Sequence, residues 1–186
     1  MTLQLQDVFL TDWFSATGEE LFDDAFYPPP HEPGRVAGQI VAGGPDCDPN
    51  VFHTLMFAAL GEARRTIHLA TSYFVPTPSL CEALVAAALR GVRVRIMLTS
   101  PVTYWVTYHA SRSFFDELLA AGVELYEYIP GQQHAKTLTI DGEWALVGTP
   151  NFDSRSVFLN FEVAAVCYDD GVIDQLDHAF DRDLAE

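Results

Sequence analysis

Gln133-His134-Ala135-Lys136-Thr137-Leu138-Thr139-Ile140-Asp141-Gly142-Glu143-Trp144-Ala145-Leu146-Val147-Gly148 is the stretch whose reading decides the fold. The run from Gln133 to Ile140 is rich in threonine and aliphatic residues, Asp141-Gly142 closes it, and a second apolar run follows. Two such runs separated by Asp-Gly predict a β-hairpin with a two-residue turn. In that register Ile140 faces Glu143, Lys136 faces Val147 and His134 faces Thr149. Residues two apart on a strand share a face, and so do directly opposed residues. His134, Lys136 and Thr149 then converge, with Asn151 just beyond. An imidazole, an ammonium, a hydroxyl and an amide in one patch suit an anionic tetrahedral group such as phosphate.

Lys136 is the one lysine of the chain; the other nine Lys/Arg positions are arginines. Retention of lysine here points to a compact, movable point charge in place of a planar fork. Histidine two residues away suits nucleophilic or acid–base work near neutrality.

Outward from the hairpin, strand and helix patterns alternate. Residues 1 to about 17 read as a helix, and Phe22 to Gly34, with Pro28-Pro29-Pro30 and Pro33, as a linker. The compact domain is expected over 35–186, after an N-terminal helix and linker over 1–34. Val36–Val41 reads as a strand, and 49–65 as a helix capped by Asp48 with Pro49 in its first turn. A strand over 66–72, a helix over 78–90 between Thr77 and Gly91, and a strand over 92–98 follow. A helix over 104–121, a strand over 123–128, the hairpin, a strand over 160–168 and a helix over 172–184 complete the chain. The pattern predicts an α/β fold, a mixed sheet sandwiched between helices.

With 186 residues and 49% hydrophobic content the chain can bury a substantial core. A net charge of −16 argues against nucleic acid as a partner and against electrostatic adhesion to anionic membranes. Cys47, Cys81 and Cys167 are far apart and odd in number, which indicates reduced thiols and neither a zinc site nor a disulfide framework. No carboxylate cluster or Gly-rich phosphate loop is visible, so neither metal nor cofactor is expected. No signal peptide and no apolar run of about 20 residues stands out. The expected location is therefore the cytoplasm or the periphery of the inner membrane.

Single residues divide into two kinds. His53 and His68 fall in core elements and read as structural. Asp141 is the preferred residue before glycine in a tight turn, so holding the hairpin is one role open to it. Glu162 interrupts the apolar run Leu159–Val166, where a charge is costly unless paired. Its available partners are an imidazole or an arginine such as Arg155. Arg155 itself reads either as a phosphate contact or as a partner of Asp153.

His134, Lys136, Asp141, Gly148, Thr149 and Asn151 match the spacing H-x-K-x4-D-x6-G-[ST]-x-N. In this the chain resembles the phospholipase D superfamily. Ser72-Tyr73-Phe74-Val75-Pro76, Tyr126-Glu127-Tyr128, Asn151-Phe152-Asp153-Ser154-Arg155-Ser156 and Asn160-Phe161-Glu162 resemble the second half of bacterial cardiolipin synthases. Those enzymes carry two motifs and membrane spans, whereas this chain has one motif.

The resemblance implies a phospholipase D-like fold and phosphatidyl transfer on phosphatidylglycerol through a phosphohistidine. It places His134, Lys136, Asp141 and Glu162 in the catalytic set and Lys136, Thr149 and Asn151 on the phosphate. Glu162 would orient His134, and Tyr73 would line the substrate pocket. The scheme needs two histidines, with His134 serving as nucleophile or as general acid/base; the family's second-motif histidine usually has the latter role. The second motif would come from a missing N-terminal half or from a homodimer mate. The rival readings are a homodimeric phospholipase D-type nuclease or phosphodiesterase and an inactive orphan half.

Overall fold

The computed structural model describes residues 1–21, 23–27, 29, 34–46, 50–100 and 105–186. The chain opens with α1 (Thr2–Thr17), which ends at Gly18 in the left-handed conformation, and a short 3-10 turn at Asp24–Phe26. Then come β1 (Gly38–Gly43), α2 (Val51–Glu62), β2 (Thr66–Thr71), β3 (Phe74–Val75), α3 (Pro78–Leu89) and β4 (Arg93–Thr99). They are followed by α4 (Trp105–Arg112), α5 (Phe115–Ala120), β5 (Glu124–Tyr128), β6 (Thr137–Ile140) and β7 (Trp144–Gly148). Last are β8 (Phe152–Asp153), α6 (Ser154–Phe158), β9 (Glu162–Cys167) and α7 (Asp170–Leu184).

Seven strands form one mixed sheet in the order β1-β9-β7-β6-β2-β4-β5. β2, β4 and β5 run parallel, linked by helices, and the β1, β9, β7 and β6 pairings are antiparallel. β3 and β8 pair separately in a short parallel ladder that the apolar periodicity does not reveal. One sheet face presents Ile67, Leu69, Ile96, Leu138, Leu146 and Val166 to α2 and α3, forming the main core. The other face is covered by α7.

That second face joins a small apolar cluster of Ala70, Met97 and Phe180 to a set of polar contacts. His68 Nδ1 lies 2.8 Å from Asp177, Thr139 donates to the same carboxylate at 2.5 Å, and Arg95 reaches His68 Nε2 at 2.6 Å. Arginine can only donate, so Nε2 accepts and Nδ1 carries the hydrogen for Asp177. Arg95 also bonds Asp181, and Phe180 stacks on His68. His68 is thus structural, as is His53, whose ring bonds Ser79 and stacks on Phe158.

Two expectations need correction. The helix over 104–121 is two helices broken at Ser113-Phe114. Ser113 Oγ bonds back to the Ala110 carbonyl at 2.7 Å, competing with the helical ladder, and Phe114 meets Phe74 edge-on. The hairpin register is off by one: Ile140 pairs with Trp144 and Thr137 with Val147. Asp141 and Gly142 do form the expected turn, both at positive φ, with Glu143 N–H donating to Ile140 O. Glu143 is an extra residue after it, and its exposed side chain pairs with Arg65. Cys47, the Asp48–Pro49 cap, Tyr104 and most of the proline-rich linker lie outside the described residues. The helix after that cap begins at Val51.

Candidate active site

The topology brings several strand ends to one edge. β2 stops at Thr71, β6 starts at Thr137, β7 stops at Gly148 and β9 starts at Glu162. Gly148 lets β7 and β9 approach closely, since a Cβ there would fall 2.5 Å from Ala164 Cα. In the corrected register Lys136 lies opposite Gly148, whose N–H bonds the Lys136 carbonyl at 3.2 Å. Alternation places Glu162 on the same sheet face.

The Lys136 ammonium is half-buried and donates to Ser72 Oγ and to the His134 carbonyl, each at 2.9 Å. Burial holds its pKa below the ordinary lysine value, while the Glu162 and Asp153 carboxylates pull it back up. Glu162, buried at the start of β9, accepts from Thr149 Oγ1 and, at 3.0 Å, from Asn160 Nδ2. Thr149 Oγ1 in turn accepts from Val163 N–H at 3.0 Å.

The buried carboxylate is therefore satisfied by a hydroxyl and an amide, and neither His134 nor Arg155 is its partner here. Arg155 bonds Asn160 Oδ1 at 3.2 Å and does not reach Asp153, which caps α6 by accepting from Ser156 N–H at 2.6 Å. Burial pushes the Asp153 carboxyl above its usual range, and Glu162 adds to this, against the hydrogen bonds from Ser156.

His134 sits just before β6 with its ring exposed. Among the described residues no hydrogen bond is made to that ring. Asn151 donates its backbone N–H to Ser156 Oγ at 3.1 Å, and its side-chain oxygen is buried without a donor among the described residues. A buried acceptor left so is costly. Tyr73 lines a cleft of about 1020 Å³, together with Val75, Phe158, Asp153 and Asn160.

Asp141 is set apart from this group. It lies at the other end of β6, roughly 16 Å from Lys136 at the strand rise of about 3.3 Å per residue. Its carboxylate accepts the backbone N–H groups of Arg64, Arg65 and Thr66 at 2.7–2.8 Å. Burial pushes its pKa up, but these three amides outweigh that and hold it below the usual carboxylate value. Asp141 ties the hairpin turn to the α2–β2 connection. Grouped by spacing with the candidate catalytic residues, it is remote from them in space.

Lys136, Thr149, Glu162 and Asn151 do gather at the edge, though not by the face-sharing first expected. Alternation puts Thr149 on the opposite face from Lys136, and it joins through Glu162. Three participants were missed. Ser72 could have been found as a small polar residue ending a buried strand. Asp153 is visible as an Asp-x-x-Ser helix cap. Asn160 has no signal apart from its place beside Glu162.

By fold, the chain is similar to Nuc of Salmonella typhimurium, a phospholipase D family member. The TM-score is 0.68 at 22% identity, over 78% of this chain and 93% of that one. It is also similar to phosphatidylserine synthase of Haemophilus influenzae, with a TM-score of 0.67 at 16% identity over 83% of this chain and 40% of that one. The family model described as cardiolipin synthase, phospholipase D-like domain, matches residues 56–184, and the chain belongs to that family.

Among relatives, cardiolipin synthase of Geobacillus thermodenitrificans is 45% identical over 169 residues, 90% of this chain and 33% of that protein. Cardiolipin synthase 2 of Bacillus anthracis is 42% identical over 184 residues, 98% of this chain and 36% of that protein. The chain thus spans about a third of the length of these relatives.

Proposed function

We propose that this domain carries one half of a two-motif phosphodiester site that transfers a phosphatidyl group from phosphatidylglycerol to a second phosphatidylglycerol, yielding cardiolipin and glycerol. The observation that carries the reading is the 45% identity to a cardiolipin synthase over 90% of the chain; the His134-x-Lys136 pair of this sequence supports it.

In the first step a histidine nitrogen attacks phosphorus. The glycerol oxygen leaves, taking a proton from the second histidine, and a phosphohistidine remains. In the second step that same histidine, now a base, deprotonates the incoming hydroxyl, which displaces the phosphohistidine nitrogen. Covalent catalysis divides one difficult displacement into two. The exposed, unbonded ring of His134 supports either role, and we assign it the acid/base one.

Lys136 and the Asn151 amide would take the phosphoryl oxygens, with Thr149 beside them. Stabilising developing charge in this way supplies the electrostatic part of catalysis. Glu162 acts as a positioning residue: it fixes Thr149 and sustains the charge of Lys136.

The second motif would come from the part of the relatives' length that this chain does not span, or from a second copy. The expected result for His134→Ala in the assembled enzyme is a loss of turnover of about a hundredfold or more, with the fold intact by circular dichroism. Near-wild-type cardiolipin formation would refute the assignment. Parallel assays on DNA test the nuclease reading, which the charge of −16 disfavours.

A further inference from the structure

The sequence leaves Arg155 two readings, a phosphate contact or a partner of Asp153, and the structure removes the second. Arg155 Nε donates to Asn160 Oδ1 at 3.2 Å, while Asp153 accepts from Ser156 N–H. Asn160 in turn donates from Nδ2 to Glu162 at 3.0 Å. The guanidinium is thus held by a chain of two hydrogen bonds that ends on the buried carboxylate beside Lys136. Its two terminal nitrogens bond nothing among the described residues, and the side chain is exposed. Among the described residues that line the cleft it is the one basic group, in company with Tyr73, Asp153, Ser154 and Asn160. Asp153 joins that cleft to the phosphate site, because its carboxylate acts on the Lys136 ammonium.

We propose that Arg155 anchors the phosphodiester of the acceptor lipid, the second anion that the reaction has to bring in. The inference rests on the phosphatidyl-transfer reading above. In that reading one phosphatidyl group is carried on histidine, with its phosphoryl oxygens at Lys136 and Asn151. The attacking hydroxyl belongs to a glycerol whose far end is already esterified to phosphate. Two anionic phosphodiesters then lie one glycerol apart, in a chain of net charge −16 and beside the Asp153 and Glu162 carboxylates.

Lys136 is a point charge already bonded to Ser72 and to the His134 carbonyl, and it serves one phosphate. The other phosphate needs its own cation. An arginine fork with both terminal nitrogens unbonded matches two phosphodiester oxygens at once. A second half that covers this face encloses the cleft, and an enclosed anion without a paired cation is costlier still. Arg155 touches no atom whose bonding changes. Its role is to favour an acceptor that carries a phosphate over one that does not, water included.

The test sets different acceptors against the same phosphohistidine. Cardiolipin formation uses phosphatidylglycerol as acceptor. Exchange of 14C-glycerol into phosphatidylglycerol uses glycerol, which has no phosphate: unlabelled glycerol leaves in the first step and labelled glycerol takes its place in the second. Both are measured in the assembled enzyme, with the second motif present. Arg155→Gln removes the charge and keeps an amide donor for Asn160. At subsaturating phosphatidylglycerol it should lower cardiolipin formation by about thirtyfold, as expected for the loss of charged hydrogen bonds, and leave glycerol exchange undiminished. Undiminished exchange also shows that the variant is folded. Glycerol 3-phosphate, a phosphate without acyl chains, should be a better acceptor than glycerol for the wild type and no better for the variant.

Equal losses of cardiolipin formation and glycerol exchange overturn the proposal, because Arg155 then acts on the step they share, through Asn160 and Glu162 or through an acid of the other half. Undiminished cardiolipin formation overturns it as well. So does a wild type that takes glycerol 3-phosphate no better than glycerol. A wild-type assembled enzyme that yields neither cardiolipin nor exchanged phosphatidylglycerol refutes the phosphatidyl-transfer reading itself, and the assignment of Arg155 falls with it.

Discussion

Lys136 is held in a competition between burial, which disfavours its charge, and two carboxylates, which favour it. Removing one carboxylate should tip that balance. In Glu162→Gln the Lys136 pKa is expected to fall further, and the alkaline limb of activity with it. A lysine whose folded pKa lies below its unfolded value bears a penalty for its charge. That penalty is present at low pH and disappears as pH rises past the unfolded value. With one lysine in the chain, 13Cε labelling gives a single lysine resonance to titrate; an unchanged titration would remove Glu162 from the site.

Asp141 makes the opposite case. Its three backbone hydrogen bonds suggest that Asp141→Asn costs about 2 kcal/mol of stability in urea denaturation while turnover per folded molecule is unchanged. Its lowered pKa means that this contribution is present above the ordinary carboxylate value and lost as pH falls through the folded one. A large loss of turnover in folded Asp141→Asn would return Asp141 to the chemistry.

Among elements, α7 combines a small apolar contact, through Phe180 and Leu184, with buried polar contacts. Asp177 receives both His68 and Thr139, and burial of its carboxyl is outweighed by these bonds, so its pKa is lowered. Asp177→Ala leaves two buried groups unpaired and should cost about 3 kcal/mol, read by denaturant unfolding. The wild-type contribution is lost as pH falls through the folded pKa of Asp177, so acid should loosen α7 before the main core. Simultaneous loss of helix and core signals would contradict this.

The sequence patterns made most of this level legible. Thr77 caps α3 at Leu80 N–H, Gly91 and Gly122 take positive φ after their helices, and the Asp-Gly turn forms. The one-residue extension at Glu143 was not legible, because an Asp-Gly pair alone does not distinguish a two-residue turn from one followed by an extra residue. That slip changes which residues share a face, and so Thr149 reached the site by another route than the alternation implied. The β3–β8 ladder was hidden because two-residue strands have no period. Glu162 was legible as a buried charge needing a partner. Which partner it takes depends on how the chain bends after Gly148, and strand alternation does not encode that bend.

As a whole molecule the domain offers one His134 to the proposed two-histidine reaction, and it spans about a third of the relatives' length. Turnover by this chain alone should therefore be negligible. It should appear when the other motif is supplied, or rise steeply with concentration if two copies pair. Light scattering across the same dilution series checks the second route. Activity per chain that is constant down to monomer concentrations would show one histidine to be sufficient.

The half-buried ammonium between Ser72 and the His134 carbonyl has one more consequence, for anyone handling the protein. Apart from its own terminus, the chain offers amine-directed reagents no other primary amine. Succinimidyl esters, aldehyde fixatives and surface-coupling resins that elsewhere decorate a protein at random have a single side-chain target here. Under the proposed function, conjugation through that target and loss of turnover are one event, so a tag or a solid support is better attached through the acidic exterior, Cys81 and Cys167 being buried.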